Sequence, residues 1–363
     1  MTPRFLRALA ITAAMLVANN HGTAADWDRM KPIVPQQYVC YRAAVPLVID
    51  GRLNDESWQT APWTHDFQDI EGDAKPRPTF RTRAKMLWDQ KYFYIAAEME
   101  EPHVWGTITQ RDSVIFRDND FEVFIDPNGD NHEYYEFEMN ALNTVWDLFL
   151  RKPYKDGGPA MNNWDIEGLR SAVHIQGTLN NSQDRDQGWT LEIAFPWKAL
   201  KQFAHRATPP KEGDQWRIGF SRVEWDIEIV EGKYQKVPNH AEHNWIWSPQ
   251  GIIDMHRPER WGYVQFTSGK PGTVDFKPDA GVPAREALMT IYHAQREFQT
   301  RTGRWASNLS ELGLNESIQT GLVHSPTIRL NKDGYVATAI VRVGRGAREI
   351  WHVRQDSRLW RRP

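Results

Sequence analysis

Short β-type runs separated by turn clusters occupy the chain from Tyr41 to about Phe266. Between Thr82 and Met99, two apolar bursts (Ala84–Trp88 and Tyr92–Ala96) flank Asp89-Gln90-Lys91. This predicts two strands around a tight polar turn. Phe121–Ile125 is strongly β-prone and ends at Asp126-Pro-Asn-Gly-Asp130, a turn by composition. In the next run Tyr135, Phe137 and Met139 alternate with Tyr134, Glu136 and Glu138, so one face is apolar and the other acidic, as in a half-buried strand. Val145–Leu150, Gly188–Phe195, Trp216–Val223 and Gly262–Phe266 continue the series; Pro196 stops the second of these, and Trp197–Leu200 predicts one helical turn. Many strands, few helices and frequent turns predict an all-β main domain, a two-sheet antiparallel β-sandwich. Beyond a Gly/Pro/Lys/Asp-rich stretch, Ala287, Leu288, Ile291, Ala294 and Phe298 recur at helical spacing and short segments follow, predicting a small C-terminal α+β unit.

The expected divisions are a signal peptide at 1–25, a polar lead-in at 26–40, the sandwich at 41–267, a linker at 268–282 and the α+β unit at 283–363. The first segment has Arg4 and Arg7, an apolar run at 8–18 too short to span a bilayer, and small residues before Asp26. It predicts an exported chain, periplasmic or extracellular, with no membrane span. A net charge of −3 gives no sign of a nucleic-acid partner, and nothing points to a protein partner. The single Cys40 excludes an internal disulfide framework, so an exported chain must rest on its core. Seventeen tryptophans are the unusual feature of the composition; thirteen fall between Trp58 and Trp261.

If the strands on either side of the 126–133 turn pair, Glu122, Glu136, Glu138 and Asn140 share a face with Asp118 and Asp120, and Asn143 and Asp147 follow. Carboxylates and amides suit sugar hydroxyls, and a solvated outer face has the same pattern. Several acids together also suit a cation, or force one carboxyl to stay protonated. Asp126, Asn128 and Asp130 resemble the opening of a calcium loop and make calcium the candidate cofactor, but Asn131 and Phe137 stand where an EF-hand has Gly and Glu, so an ordinary Asx turn fits the pattern better. Trp105 and Trp164 stand in loop-like stretches, where an aromatic ring can stack on a sugar.

The ordered motifs Val48-Ile-Asp-Gly51, Leu53–Trp58, Ala84–Asp89 with Tyr92-Phe-Tyr94, Asp118–Pro127, Gly188–Trp197 and His256–Gly262 resemble the carbohydrate-binding module family 9-like domains, over roughly 41–267. The resemblance implies a sandwich of the kind shared with DOMON domains and non-catalytic binding of an oligo- or polysaccharide. It places binding positions at Glu122, Glu136, Glu138 and Asn140, and puts Phe116 and Met255 where the family clamps a sugar between tryptophans. Structural calcium is also common in the family. Two alternatives stay open: a glycoside-active enzyme using paired carboxylates, and a haem-binding electron-transfer domain using Met139, Met255 or His256.

Overall fold

The computed structural model describes residues 23–314, 316–344 and 346–362; the expected signal segment lies outside the described residues except for Thr23–Ala25. The strands are β1 (Gln37–Arg42), β2 (Gln68–Asp69), β3 (Thr82–Trp88), β4 (Tyr92–Glu100), β5 (Asp120–Asp126), β6 (Tyr134–Asn140), β7 (Val145–Leu150), β8 (Ala160–Met161), β9 (Arg170–Gln176) and β10 (Gly188–Pro196). They continue with β11 (Gln215–Glu224), β12 (Ile227–Val230), β13 (Lys233–Lys236), β14 (His243–Ile246), β15 (Gly262–Thr267), β16 (Thr327–Asn331), β17 (Gly334–Val343), β18 (Ala347–Arg354) and β19 (Leu359–Arg362). The helices are α1 (Ala24–Met30), α2 (Glu56–Thr60), α3 (Trp197–Leu200) and α4 (Val282–Thr302).

One sheet runs β8-β7-β6-β5-β11-β15-β1-β3-β4-β10-β9, with β14 paired to β11 as a branch and β2 paired to β14. It curls so that its two halves face each other. The two faces of the expected sandwich are therefore halves of one mixed sheet, because β1 runs parallel to both β15 and β3 and joins them. Strand alternation decides what goes inside. Phe121, Val123 and Ile125 of β5 and Tyr135, Phe137 and Met139 of β6 meet Ile95 of β4 and Leu191 and Ile193 of β10 in a single apolar cluster. Cys40 is buried in that cluster as a free thiol. Trp245 and Trp247, which look loop-borne in sequence, are buried in it too. β14 is only four residues long and follows a polar stretch, so its β period is too short to read.

Two sequence motifs turn out to be one packing knot. Glu192 accepts from the backbone N–H groups of Asp50 and Gly51 at 2.9 and 2.8 Å and from Trp58 Nε1 at 2.7 Å. Gly51 has φ +84°, and a Cβ there would meet the backbone of Val173 and His174 at 2.5 Å, so only glycine fits. Burial raises the Glu192 carboxyl to about 6 against these three donors.

The C-terminal unit is α4 laid on the antiparallel sheet β16-β17-β18-β19. Its core also takes in Trp27 and Met30 of α1, from the stretch expected as a lead-in. Trp27 stacks on His293 with ring centroids 5.0 Å apart and donates to Thr290 Oγ1 at 2.8 Å. Arg260 ties the two units together: it pairs with Glu286 of α4 at 2.9 Å and lies over the Trp27 ring. The stretch 268–281 is pinned along the sandwich, where Gln265 donates to Asp275 O and accepts from Lys277 N. Trp27→Phe keeps an aromatic ring but loses the indole donor. It is expected to cost about 1 kcal/mol, read by hydrogen exchange as faster opening of β17 and β18 with the amides of β4 and β10 unchanged.

Candidate functional site, an acidic sheet face

The face of β5 and β6 turned away from the main core carries Asp120, Glu122 and Phe124 opposite Asn140, Glu138 and Glu136, in that register. Glu122 and Glu138 are thus directly opposed, and Asp120 and Glu136 sit on their diagonals. Like charges placed this way oppose folding. The neighbouring strands extend the face: β7 sets Trp146 opposite Glu138, and β11 sets Ser221 opposite Glu122. An apolar cluster covers it, with Ile115, Phe116, Met255, Trp261 and Tyr154 among its members. Glu138 Oε2 accepts from Phe116 N at 3.2 Å, so the Phe116 turn is fastened to the acids it covers. His256 shares a hydrogen bond with Tyr134 Oη at 2.9 Å, lies 3.9 Å from Glu136 Oε1, and packs edge-on to Tyr154.

Glu122 and Glu136 are each 5% exposed, Glu138 1%, and Asp120 and Asn140 fully buried. The solvated face that the alternation equally allows is therefore not what forms. Burial is the main electrostatic consequence. It pushes the Glu122 carboxyl up to about 7. It raises Asp120, Glu136 and Glu138 well above the usual carboxylate range, with Glu122 as the largest repelling neighbour of each. Burial also lowers the His256 imidazole to about 4, which keeps it neutral at ordinary pH. Asp118 is different: Thr107 N, Thr107 Oγ1, Ile108 N and Asn140 Nδ2 all donate to it, so it organises the loop rather than facing a ligand.

Six of the residues singled out in the sequence converge here: Phe116, Glu122, Glu136, Glu138, Asn140 and Met255. Trp164 does not. It packs on Tyr135 at 5.0 Å and on Phe149, on the core side of β6 and β7. Trp105 is buried in the loop after β4, next to Gly106, whose N–H donates to Asn180. Asp147 is a correction: β7 pairs it with Phe137, so it faces the side opposite Glu138 and binds Arg111. Met139 likewise points into the core, across the sheet from His256. At the 126–130 turn, Asp126 accepts from the N–H groups of Gly129 and Asn131, and Asn128 from that of Asp130. Asp130 accepts from His132 N and pairs with Arg358. These oxygens are directed to the turn's own backbone.

The sequence reading places Asp120 on this face without naming it a binding residue, and passes over Trp146, Tyr154 and Ser221. The alternation of β5 already pairs Asp120 with Glu122; Trp146 and Ser221 need the strand pairing, which no local pattern supplies. A separate cleft of about 660 Å³ opens between the two units, lined by Arg206, Arg217, Arg285 and Trp351 among others. Its Asp214 and Asp279 already pair with Arg206 and Arg285, so its charges are largely answered in place.

The family model for the carbohydrate family 9 binding domain-like group matches residues 49–265. The chain is 26% identical over 154 residues to an exoglucanase, XynX, of Acetivibrio thermocellus, covering 42% of this chain and 12% of that protein. It is 25% identical over 153 residues to an endo-1,4-beta-xylanase A of Thermoanaerobacterium saccharolyticum, covering 42% and 11%. This chain thus spans only a small part of either relative. Among solved structures, it resembles a family 9 module of Caldicellulosiruptor kristjanssonii in complex with cellotriose, at 14% identity and TM-score 0.44, covering 67% of this chain and all of that one. It also resembles a carbohydrate-binding protein described for Bacteroides uniformis, at 14% identity and TM-score 0.48, covering 64% of this chain and all of that one. With the family model spanning more than half of its residues, and the motif residues Gly51, Trp58, Glu192 and Trp261 all built into the sandwich, the chain belongs to the carbohydrate family 9 binding domain-like family.

Proposed function

We propose that this chain is an exported, non-catalytic carbohydrate-binding protein that meets an oligo- or polysaccharide at the acidic face of β5 and β6. The observation that carries the reading is the convergence on that face of Glu122, Glu136, Glu138, Asn140, Phe116 and Met255, the positions implied by the family resemblance. Phe116 and Tyr154, half-buried beside the carboxylates, are the rings placed to pack on a sugar. Carboxylate and amide oxygens take its hydroxyl protons, and apolar ring faces take its C–H surface. The names of the matched relatives make glucans and β-1,4-linked xylans the first ligands to try.

Titration calorimetry with cello- and xylo-oligosaccharides tests this. Glu122→Gln and Phe116→Ala are each expected to weaken binding by about tenfold or more, equivalent to about 1.4 kcal/mol. Unchanged affinity in both variants would remove the face as the site. Release of reducing ends from the same sugars, abolished by Glu122→Gln, would replace binding by glycoside hydrolysis.

A further inference from the structure

We infer that Asp120, Glu122 and Glu138 form a site for a divalent cation of the calcium or magnesium class. It concerns the face assigned above to carbohydrate and rests on that reading only where glycan binding depends on the cation. One oxygen from each of the three carboxylates lies within 4.8 Å of those of the other two, and all three residues are buried.

A second acidic triplet shows what such a group does when the protein supplies its own countercharge. Asp112, Asp147 and Asp165 lie equally close together, and Arg111 pairs with all three. Among the described residues no lysine or arginine forms an ion pair with Asp120, Glu122 or Glu138. Arg222, on the same sheet, is committed on the opposite face to Glu101 and Glu224. Lys236 approaches Asp118 and lies over the Trp225 ring at 3.3 Å. His256, beside Glu136, is held neutral by burial.

Oxygens in and around the triplet are also unanswered. Asp120 Oδ2 and Glu136 Oε2 are buried with no hydrogen-bond partner. Glu136 is not one of the three, but it lies on the same face and repels both Glu122 and Glu138. The Ser221 hydroxyl, opposite Glu122 on β11, adds a further buried oxygen. Buried polar atoms nearly always have partners, so an unpartnered buried oxygen on Asp120, itself one of the three close carboxylates, marks where a partner belongs. Oxygen donors alone, with no nitrogen or sulfur in the triplet, select a hard cation. Three carboxylates also match the charge that calcium loops bring to one ion. The cation would turn the repulsion between Glu122 and Glu138 into a shared attraction, and would leave an ordered carboxylate edge for sugar hydroxyls.

The test uses the full chain, stripped with chelator and titrated near neutral pH with Tb³⁺, then with Ca²⁺ as competitor. Trp146, opposite Glu138, is positioned to sensitise terbium emission. The expected result is saturable emission that Ca²⁺ displaces, weakened by about tenfold or more in Glu138→Gln and in Glu122→Gln. Ca²⁺ should raise the melting temperature of the wild type and leave both variants unmoved. In chelator, each variant should melt at or above the wild type, because it loses a repulsion; loss of emission is then not loss of fold. Equal emission in wild type and variants, or no calcium-dependent shift in the wild type, would overturn the site. Terbium binding with no affinity for any tested glycan, with or without Ca²⁺, supports the cation site and overturns the carbohydrate reading instead. Glycan binding without terbium binding does the reverse.

Discussion

Replacing Arg222 by methionine is expected to lower the melting temperature of the sandwich by about 10 °C near pH 7, taking roughly 2–4 °C per kcal/mol for a unit of the sandwich's size. Arg222 is fully buried. Its guanidinium donates to Glu224 Oε2 at 3.0 Å, Thr82 Oγ1 at 3.0 Å, the Glu100 carbonyl at 2.9 Å and Glu101 Oε2 at 2.9 Å. Its plane also lies 5.2 Å from the Trp245 ring. It therefore joins β11 to β3 and to the end of β4, one half of the curled sheet to the other. Methionine fills similar space but leaves Glu101 and Glu224 buried without their cation. Removing one partner of a buried ion pair costs about 3–5 kcal/mol, because the charge left behind cannot reach water. Adding Glu101→Gln and Glu224→Gln to Arg222→Met should restore most of the loss. A melting temperature that stays low in the triple variant would assign the cost to packing around Trp245 rather than to charge.

The second large effect is a pH dependence. The Glu122 carboxyl ionises at about 7 in the folded protein, against the ordinary 4.5. Between those values the unfolded chain has released its proton and the folded chain has not, so rising pH favours unfolding. The loss begins near 4.5 and is complete above about 7. It amounts to about 3 kcal/mol, since each pH unit in that interval removes about 1.4 kcal/mol. Asp120, Glu136 and Glu138 act in the same direction. His256 acts the other way: its folded-state value of about 4 is below the ordinary 6.5, so it adds stability as pH rises through that interval. The wild-type curve in chelator mixes these slopes, and the difference between wild type and Glu122→Gln carries the slope of Glu122 together with its repulsion of the other three acids. That difference should be near zero at pH about 4 and favour the glutamine variant by up to about 3 kcal/mol above pH about 7. Urea melts at each pH would measure it. A difference independent of pH would show that Glu122 is not held protonated by its surroundings.

The fold was largely legible because alternation is local. Tyr135, Phe137 and Met139 against Glu136 and Glu138 identified both faces of β6 without any knowledge of its neighbours. The pairing of β5 with β6 across the 126–133 turn then placed Glu122 beside Glu138. What no local pattern contained was the closure of the sheet. The parallel pairings of β1 depend on residues far along the chain, and so does the roof over the acids from Phe116, Met255 and His256. Hence the carboxylates were found and their burial was not. Asp147 shows the same limit: its face follows from the register of β7 against β6, set after a turn at Ala141–Thr144 that its own side chain does not report.

The packing of α1 on α4 also fixes an order of events. Trp27 and its partner Thr290 are 263 positions apart, with the whole sandwich between them. During synthesis the sandwich strands emerge before α4 exists, so α1 presents its apolar face to solvent until the last helix arrives. The sheet can close first, but Trp27 and Met30 are the earliest core residues made among the described residues, and among the last to be covered. A truncation that ends near the 268–281 segment leaves them stranded, and a fragment that begins at β1 avoids the problem. The two extremities of the described chain thus act as a clasp that shuts only around a finished sandwich, and a chain caught before that point exposes the Trp27–Met30 face of a short amphipathic helix to any holding chaperone.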